Sequence, residues 1–229
     1  MAHNHQEAFS RLRAELDTRL RLHVLTDRLL ARERLTLTVA EEALNGGATV
    51  IQLRDKQAST RELIETGLAL RHLTRERHAL LIVNDRIDVA LAVDADGAHV
   101  GQEDMPADLA RHLLGSERIL GVSVATVEEA RAAEAAGADY LGVGPIFATA
   151  SKVDAGPAIG LDPLTTIARC LPLPLVAIGG IGAGNADKVI RAGATGIAVI
   201  SAVVSAEDIA HAARELRRVV ERAISSEMH

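Results

Sequence analysis

Eight short apolar runs, alternating with segments of helical spacing, constrain this chain more than any other feature of its sequence. The runs are Leu22–Thr26, Thr49–Leu53, Ala79–Val83, Gly97–Val100, Ile119–Val122, Tyr140–Val143, Leu175–Ile178 and Gly196–Ile200. Most are rich in Val, Ile and Leu, and several are bounded by Gly, Asn, Asp or Pro, which is how short strands read. Thr36–Asn45, Thr60–Glu76, Thr126–Ala136, Pro163–Cys170, Ala186–Ala192 and Asp208 to about Ser225 carry helical patterns between and after them. Asn45-Gly46-Gly47, Ala136-Gly137 and Ala192-Gly193 read as helix stops, because glycine takes a positive φ cheaply. Strand and helix alternating in this way predict a parallel α/β fold, and eight repeats predict a single (β/α)8 TIM barrel. The rival, an open doubly wound sheet, announces itself with a glycine-rich turn after the first strand. Here that strand ends in Thr26-Asp27-Arg28.

A chain of 229 residues fits one such domain, and no linker divides it. The expected organisation is an N-terminal extension over residues 1–21, partly helical, followed by a catalytic barrel over 22–229. In the extension Phe9, Leu12, Leu16 and Leu20 recur at helical spacing over Glu7–Leu22, which suggests a helix packed on the barrel bottom or on a partner subunit. Aromatic residues are only 1% of the chain, so its core must be built from the small branched residues that fill barrel interiors. A formal charge of −6 argues against nucleic-acid binding, and no apolar run is long enough to cross a membrane. The lone cysteine, Cys170, is expected to be a small buried hydrophobe, and a chain without an intrachain disulfide suits a cytoplasmic setting.

In a parallel barrel the chemistry lies at the C-terminal ends of the strands. Two consecutive strands deliver acids there: Asn84 and Asp85 after the third, Gln102, Glu103 and Asp104 after the fourth. Converging carboxylates repel unless a positive charge lies between them, and Mg²⁺ takes one or two carboxylates plus substrate phosphates. Asp85 and Asp104 are therefore metal candidates, with helix capping as the plainer role for each. After the second strand comes Gln52-Leu53-Arg54-Asp55-Lys56. Strand alternation puts Gln52 and Arg54 on the mouth-facing side, where Arg54 and Lys56 can meet an anion. Ser123 ends the fifth strand with a hydroxyl. The long segment from Ile146 to Gly160 carries Thr149, Ser151 and Lys152 and reads as a lid. Strand seven runs into a glycine-rich turn, Gly179 to Gly184, with Asn185 as the expected N-cap of the next helix, and strand eight runs into Ile200 and Ser201. Barrel phosphates bind in those two loops. Two anion sites are thus expected, one on backbone near Gly180 and Ser201, one on metal and cations near Asp85, Asp104, Arg54 and Lys152.

Those same stretches resemble the thiamine phosphate synthase family. QLRDK at Gln52–Lys56, VND at Val83–Asp85, HVGQEDMP at His99–Pro106, GVS at Gly121–Ser123, GPIF at Gly144–Phe147, T-x-S-K at Thr149–Lys152, IGGI at Ile178–Ile181 and ISA at Ile200–Ala202 stand in family order, and the likeness runs from Leu22 onward. It implies small-molecule substrates: a hydroxymethylpyrimidine diphosphate and a thiazole phosphate, joined with Mg²⁺ to give thiamine phosphate and diphosphate. It assigns Gln52, Leu53, Arg54, Asp55, Lys56, Asn84, Ser123 and Lys152 to the pyrimidine diphosphate. Thr149, Ser151, Gly180, Ile200 and Ser201 fall to the thiazole phosphate, and Asp85 and Asp104 to Mg²⁺. Arg54, Lys56, Ser123 and Lys152 are the catalytic candidates. Two positions depart from the family pattern: His23 stands where Tyr is common, and Ser151 where the lid carries a second Thr. Two other readings are weighed alongside: a thiazole tautomerase-like relative, against which QLRDK and the paired aspartates argue, and a non-catalytic phosphate-binding regulatory barrel. Sequence leaves oligomeric state open, a homo-oligomer included.

Overall fold

A computed structural model describes residues 14–151 and 156–227. Its strands are β1 (Leu22–Leu25), β2 (Val50–Leu53), β3 (Leu80–Asn84), β4 (Gly97–Val100), β5 (Ile119–Val124), β6 (Tyr140–Val143), β7 (Leu175–Ile178) and β8 (Gly196–Val199). The helices among the described residues are α1 (Leu16–Arg19), α2 (Thr36–Asn45), α3 (Thr60–Glu76), α4 (Ile87–Ala92), α5 (Ala107–Leu114), α6 (Val127–Ala135), α7 (Leu161–Cys170), α8 (Ala186–Arg191), α9 (Ser201–Val204) and α10 (Ile209–Glu227). The strands form one closed parallel barrel in chain order, completed where β1 pairs with β8 at Val24 and Val199. This is the (β/α)8 barrel that the alternation predicts.

The strands are buried on both faces along almost their whole length, which is why they read as continuous apolar runs without a period of two. Gly47, Gly137 and Gly193 take φ of 98°, 86° and 102°, as helix stops require. Of the N-terminal extension, residues 1–13, with Phe9 and Leu12, lie outside the described residues. Leu16 and Leu20 are buried, and Arg21 donates to the Thr195 carbonyl just ahead of β8 at 2.8 Å, so the described part packs at the N-terminal end of the barrel.

Cys170 corrects an expectation, because it is exposed. It is the last residue of α7, whose buried positions are Leu164 and Ile167, and the inward place one turn further on is taken by Leu171.

The barrel interior holds the chain's single tyrosine. Tyr140 is 1% exposed and lies beside His23 and His99, with ring centroids 5.6 and 5.5 Å away. Room for these rings comes from absent side chains. A Cβ on Gly121 would stand 2.2 Å from Tyr140 Cζ and 2.5 Å from His99 Nδ1, and one on Gly142 would stand 2.8 Å from His99 Cε1.

Candidate active site

A cavity of about 1160 Å³ opens at the C-terminal ends of the strands. Arg54, Lys56, Asn84, Asp85, Asp104, Ser123, Thr149, Ser151, Gly180, Ile200 and Ser201 all line it, although they come from seven strand ends spread over most of the chain. Leu53, Asp55 and Gln52 do not line it. Leu53 faces α3, where a Cβ on Gly67 would lie 3.3 Å from its Cδ2. Asp55 caps the following turn, accepting from Gln57 N and Ala58 N, and takes a 2.7 Å bond from Arg28 Nε. Gln52 is buried on the opposite side of the strand from Leu53. Lys152 lies outside the described residues.

On the cationic side of the mouth, Arg54 is held before any ligand arrives. Its side chain is 8% exposed and donates to Asp27 Oδ2 at 2.9 Å. The other Asp27 oxygen accepts from Leu29 N and Leu30 N, fixing the carboxylate to its own turn. Thr26 Oγ1 donates to the Arg54 carbonyl and accepts from its N–H, both at 2.9 Å. Thr26 and Asp27 are thus supporting residues that the sequence reading passed over. Their signal was a Thr-Asp pair at a barrel strand end, where a polar residue needs a reason.

The two aspartates line the same cavity. Asp85 has φ 63°, a left-handed conformation that costs an L-residue roughly 1–2 kcal/mol. Its N–H donates to the His99 carbonyl at 2.8 Å, which ties the end of β3 to β4. Neither aspartate occupies the N-cap position of the helix that follows: Arg86 does so for α4 and Pro106 for α5. Asp104 Oδ2 instead accepts from Gly101 N at 2.8 Å. Among the described residues no group of three or more acidic, His or Cys side chains is arranged to hold a metal by itself.

Across the mouth, the loop after β6 is laced to the end of β7: Ile146 N donates to Ile178 O at 2.8 Å and Phe147 N to Gly179 O at 3.0 Å. Gly180 sits under this loop with φ 63°. Asn185 was expected to cap α8 through its side chain. It occupies the N-cap position without a capping bond. Its Oδ1 accepts from Gly182 N at 2.8 Å and its Nδ2 donates to Gly180 O at 3.0 Å, so the amide fastens the glycine turn. Ser151 Oγ donates to Ser201 Oγ at 2.9 Å, joining the loop after β6 to the start of α9.

A family model described as thiamine monophosphate synthase matches residues 22–203. The chain belongs to the thiamine phosphate synthase family. The thiamine-phosphate synthase of Moorella thermoacetica is 58% identical over 202 residues, covering 88% of this chain and 96% of that protein. That of Chloroflexus aurantiacus is 59% identical over 200 residues, covering 87% and 92%. Among solved structures, thiamine phosphate pyrophosphorylase from Pyrococcus furiosus superposes with a TM-score of 0.84 at 50% identity, covering 91% of this chain and 99% of that one. A 3-hexulose-6-phosphate synthase at 17% identity and a TM-score of 0.64, covering 87% of this chain and 99% of that one, shares the fold alone. The family match ends at Val203, so it takes in the whole barrel mouth but not α10.

Proposed function

We propose that this chain is a transferase that couples 4-amino-5-hydroxymethyl-2-methylpyrimidine diphosphate to 4-methyl-5-(2-phosphooxyethyl)thiazole, or its carboxylated form, releasing diphosphate and forming thiamine phosphate. One observation carries the reading beyond family membership: two anion-compatible groups of residues line one cavity, one at the ends of β2, β3 and β5, the other after β6, β7 and β8. Arg54, Lys56, Asn84 and Ser123 form one, and Gly180, Ser201, Thr149 and Ser151 the other. The first suits the diphosphate and the second the monophosphate; Lys152, outside the described residues, is assigned to the diphosphate by the family resemblance.

The bond that breaks joins the pyrimidine methylene carbon to the diphosphate oxygen. The electron-rich aminopyrimidine stabilises the positive charge left on that carbon, and the thiazole nitrogen supplies the electron pair of the new C–N bond. The chain's task is to hold the two substrates in line and to balance the charge of the departing diphosphate. Arg54, already fixed by Asp27, and Lys56 supply positive charge, and Ser123 offers a hydroxyl proton. Asp85 and Asp104, with hard carboxylate oxygens, are the residues that would hold Mg²⁺, which when bound would help neutralise the diphosphate charge. Mg²⁺ is commonly held by one or two carboxylates plus substrate phosphates, which is the donor set these two aspartates and a diphosphate would offer. Incubating the protein with both substrates and Mg²⁺ should give thiamine phosphate and diphosphate in equal amounts. Absence of product would defeat the proposal.

A further inference from the structure

Ser123, half-buried at the cavity wall, is the last link of a chain of polar groups that starts in the barrel core. Its Oγ lies 2.8 Å from His99 Nε2, and His99 Nδ1 lies 2.9 Å from the Tyr140 hydroxyl. The three residues come from β5, β4 and β6, and Gly121 and Gly142 leave the space the two rings occupy. Among the described residues, His99 Nδ1 is the only hydrogen-bond partner of the Tyr140 hydroxyl. A buried phenol proton must go to an acceptor, so Tyr140 is the donor and Nδ1 the acceptor. A neutral imidazole that accepts at one nitrogen donates at the other. His99 therefore donates from Nε2 to Ser123 Oγ. The opposite tautomer would leave the phenol proton unpaired and would take the serine proton for the ring.

We propose that Tyr140 and His99 are positioning residues that fix the direction of the Ser123 hydroxyl, leaving its proton for an oxygen of the pyrimidine diphosphate. The assignment rests on the proposed coupling for its substrate, but not for the tautomer. Burial pushes the Tyr140 phenol far above its ordinary range, so the group at the base of the relay keeps its proton. The backbone at Ser123 is held as well, since Gln102 Nε2 donates to its carbonyl at 2.7 Å. The relay runs outward from the barrel core to the cavity, where Ser123 and His99 are both lining residues. In this arrangement Ser123 is a donor to the leaving group. It is not a nucleophile with His99 as its base, because Nε2 already carries a proton.

Two measurements test this. In protein with ¹⁵N-labelled histidine, assigned with His99→Gln, His99 should show a protonated Nε2 and an unprotonated Nδ1 before any substrate is added. The reverse pattern, or protonation of both nitrogens at neutral pH, would overturn the relay. The second is a double-mutant cycle on kcat. Tyr140→Phe should slow turnover about fivefold to tenfold, the weight of one hydrogen bond, with KM for the pyrimidine diphosphate little changed. In a Ser123→Ala background the same substitution should cost nothing, because the hydroxyl it orients is gone. An equal loss in both backgrounds would mean that Tyr140 acts by packing and would refute the positioning role. If the wild type makes no thiamine phosphate, the proposed coupling fails, while the imidazole pattern still decides the relay.

Discussion

Gly180→Val tests whether the turn after β7 is a dedicated monophosphate site. Gly180 has φ 63°, and a Cβ there would lie 2.6 Å from the Ala148 carbonyl oxygen and 2.8 Å from Phe147 Cβ. The left-handed backbone costs a side-chain-bearing residue roughly 1–2 kcal/mol, and overlap with fixed neighbours roughly 1–3 kcal/mol. The total, about 2–5 kcal/mol, is relieved by pushing the loop after β6 off the end of β7. Because each 1.4 kcal/mol is tenfold in affinity, even the lower end should raise the thiazole phosphate Kd by about tenfold or more. The region proposed for the pyrimidine diphosphate does not include Gly180, so that substrate should bind nearly as before. Gly184→Ala is the control in the same turn: nothing lies within 4 Å of its Cβ, and both affinities should stay unchanged. Separate calorimetric titrations with each substrate read the difference, with thermal melts alongside. Equal weakening for both ligands would indicate a general folding defect, and an unchanged thiazole phosphate Kd would remove Gly180 from the site.

Further perturbations follow from the same geometry. Asp85→Asn and Asp104→Asn should each raise the Mg²⁺ concentration needed for half-maximal rate, with melting temperature in metal-free buffer little altered; an unchanged Mg²⁺ dependence in both variants would end the metal assignment. Lys152→Ala should cut the rate severely and leave the melt intact, and a near-normal rate would remove that lysine from the mechanism. Burial lowers the His23 pKa from its ordinary 6.5 to about 3. The unfolded chain therefore takes up that proton first, so the contribution of His23 is complete above pH 6.5 and is lost as pH falls toward 3. His23→Leu should flatten the acid limb of urea-unfolding stability by up to about 1.4 kcal/mol per pH unit, and identical slopes would refute that origin.

The strands were legible because a barrel buries both their faces, which writes each as a short apolar run whose ends differ from the observed ones by at most two residues. The helix α5 was not among the clearest, since it exposes Leu109 and Leu113 while burying Ala110, which blurs its period. Cavity-lining residues at strand ends could be picked out because polar chemistry there has no packing reason. What stayed hidden depended on contacts across the barrel. The grip of Asp27 on Arg54 spans β1 to β2, and Tyr140 read as an ordinary strand residue until its hydroxyl met His99, 41 positions earlier. Asn185 sat at the right position for a cap, but the neighbouring carbonyl and N–H of the glycine turn took its amide. Cys170 misled because residue type predicts burial only on average, whereas its place at the end of α7 decided the matter.

The buried tyrosine also makes this protein unusually easy to observe. With one Tyr, two Phe and no Trp in the whole chain, near-ultraviolet absorption and emission above the phenylalanine range come from Tyr140 alone. That ring stands in the barrel wall, one imidazole away from the cavity, and is shielded from solvent quenchers by its 1% exposure. The natural sequence therefore carries a single optical reporter beneath its own binding cavity. Substrate arrival can be followed by circular dichroism or fluorescence without adding a label, and a change in signal maps to one known side chain.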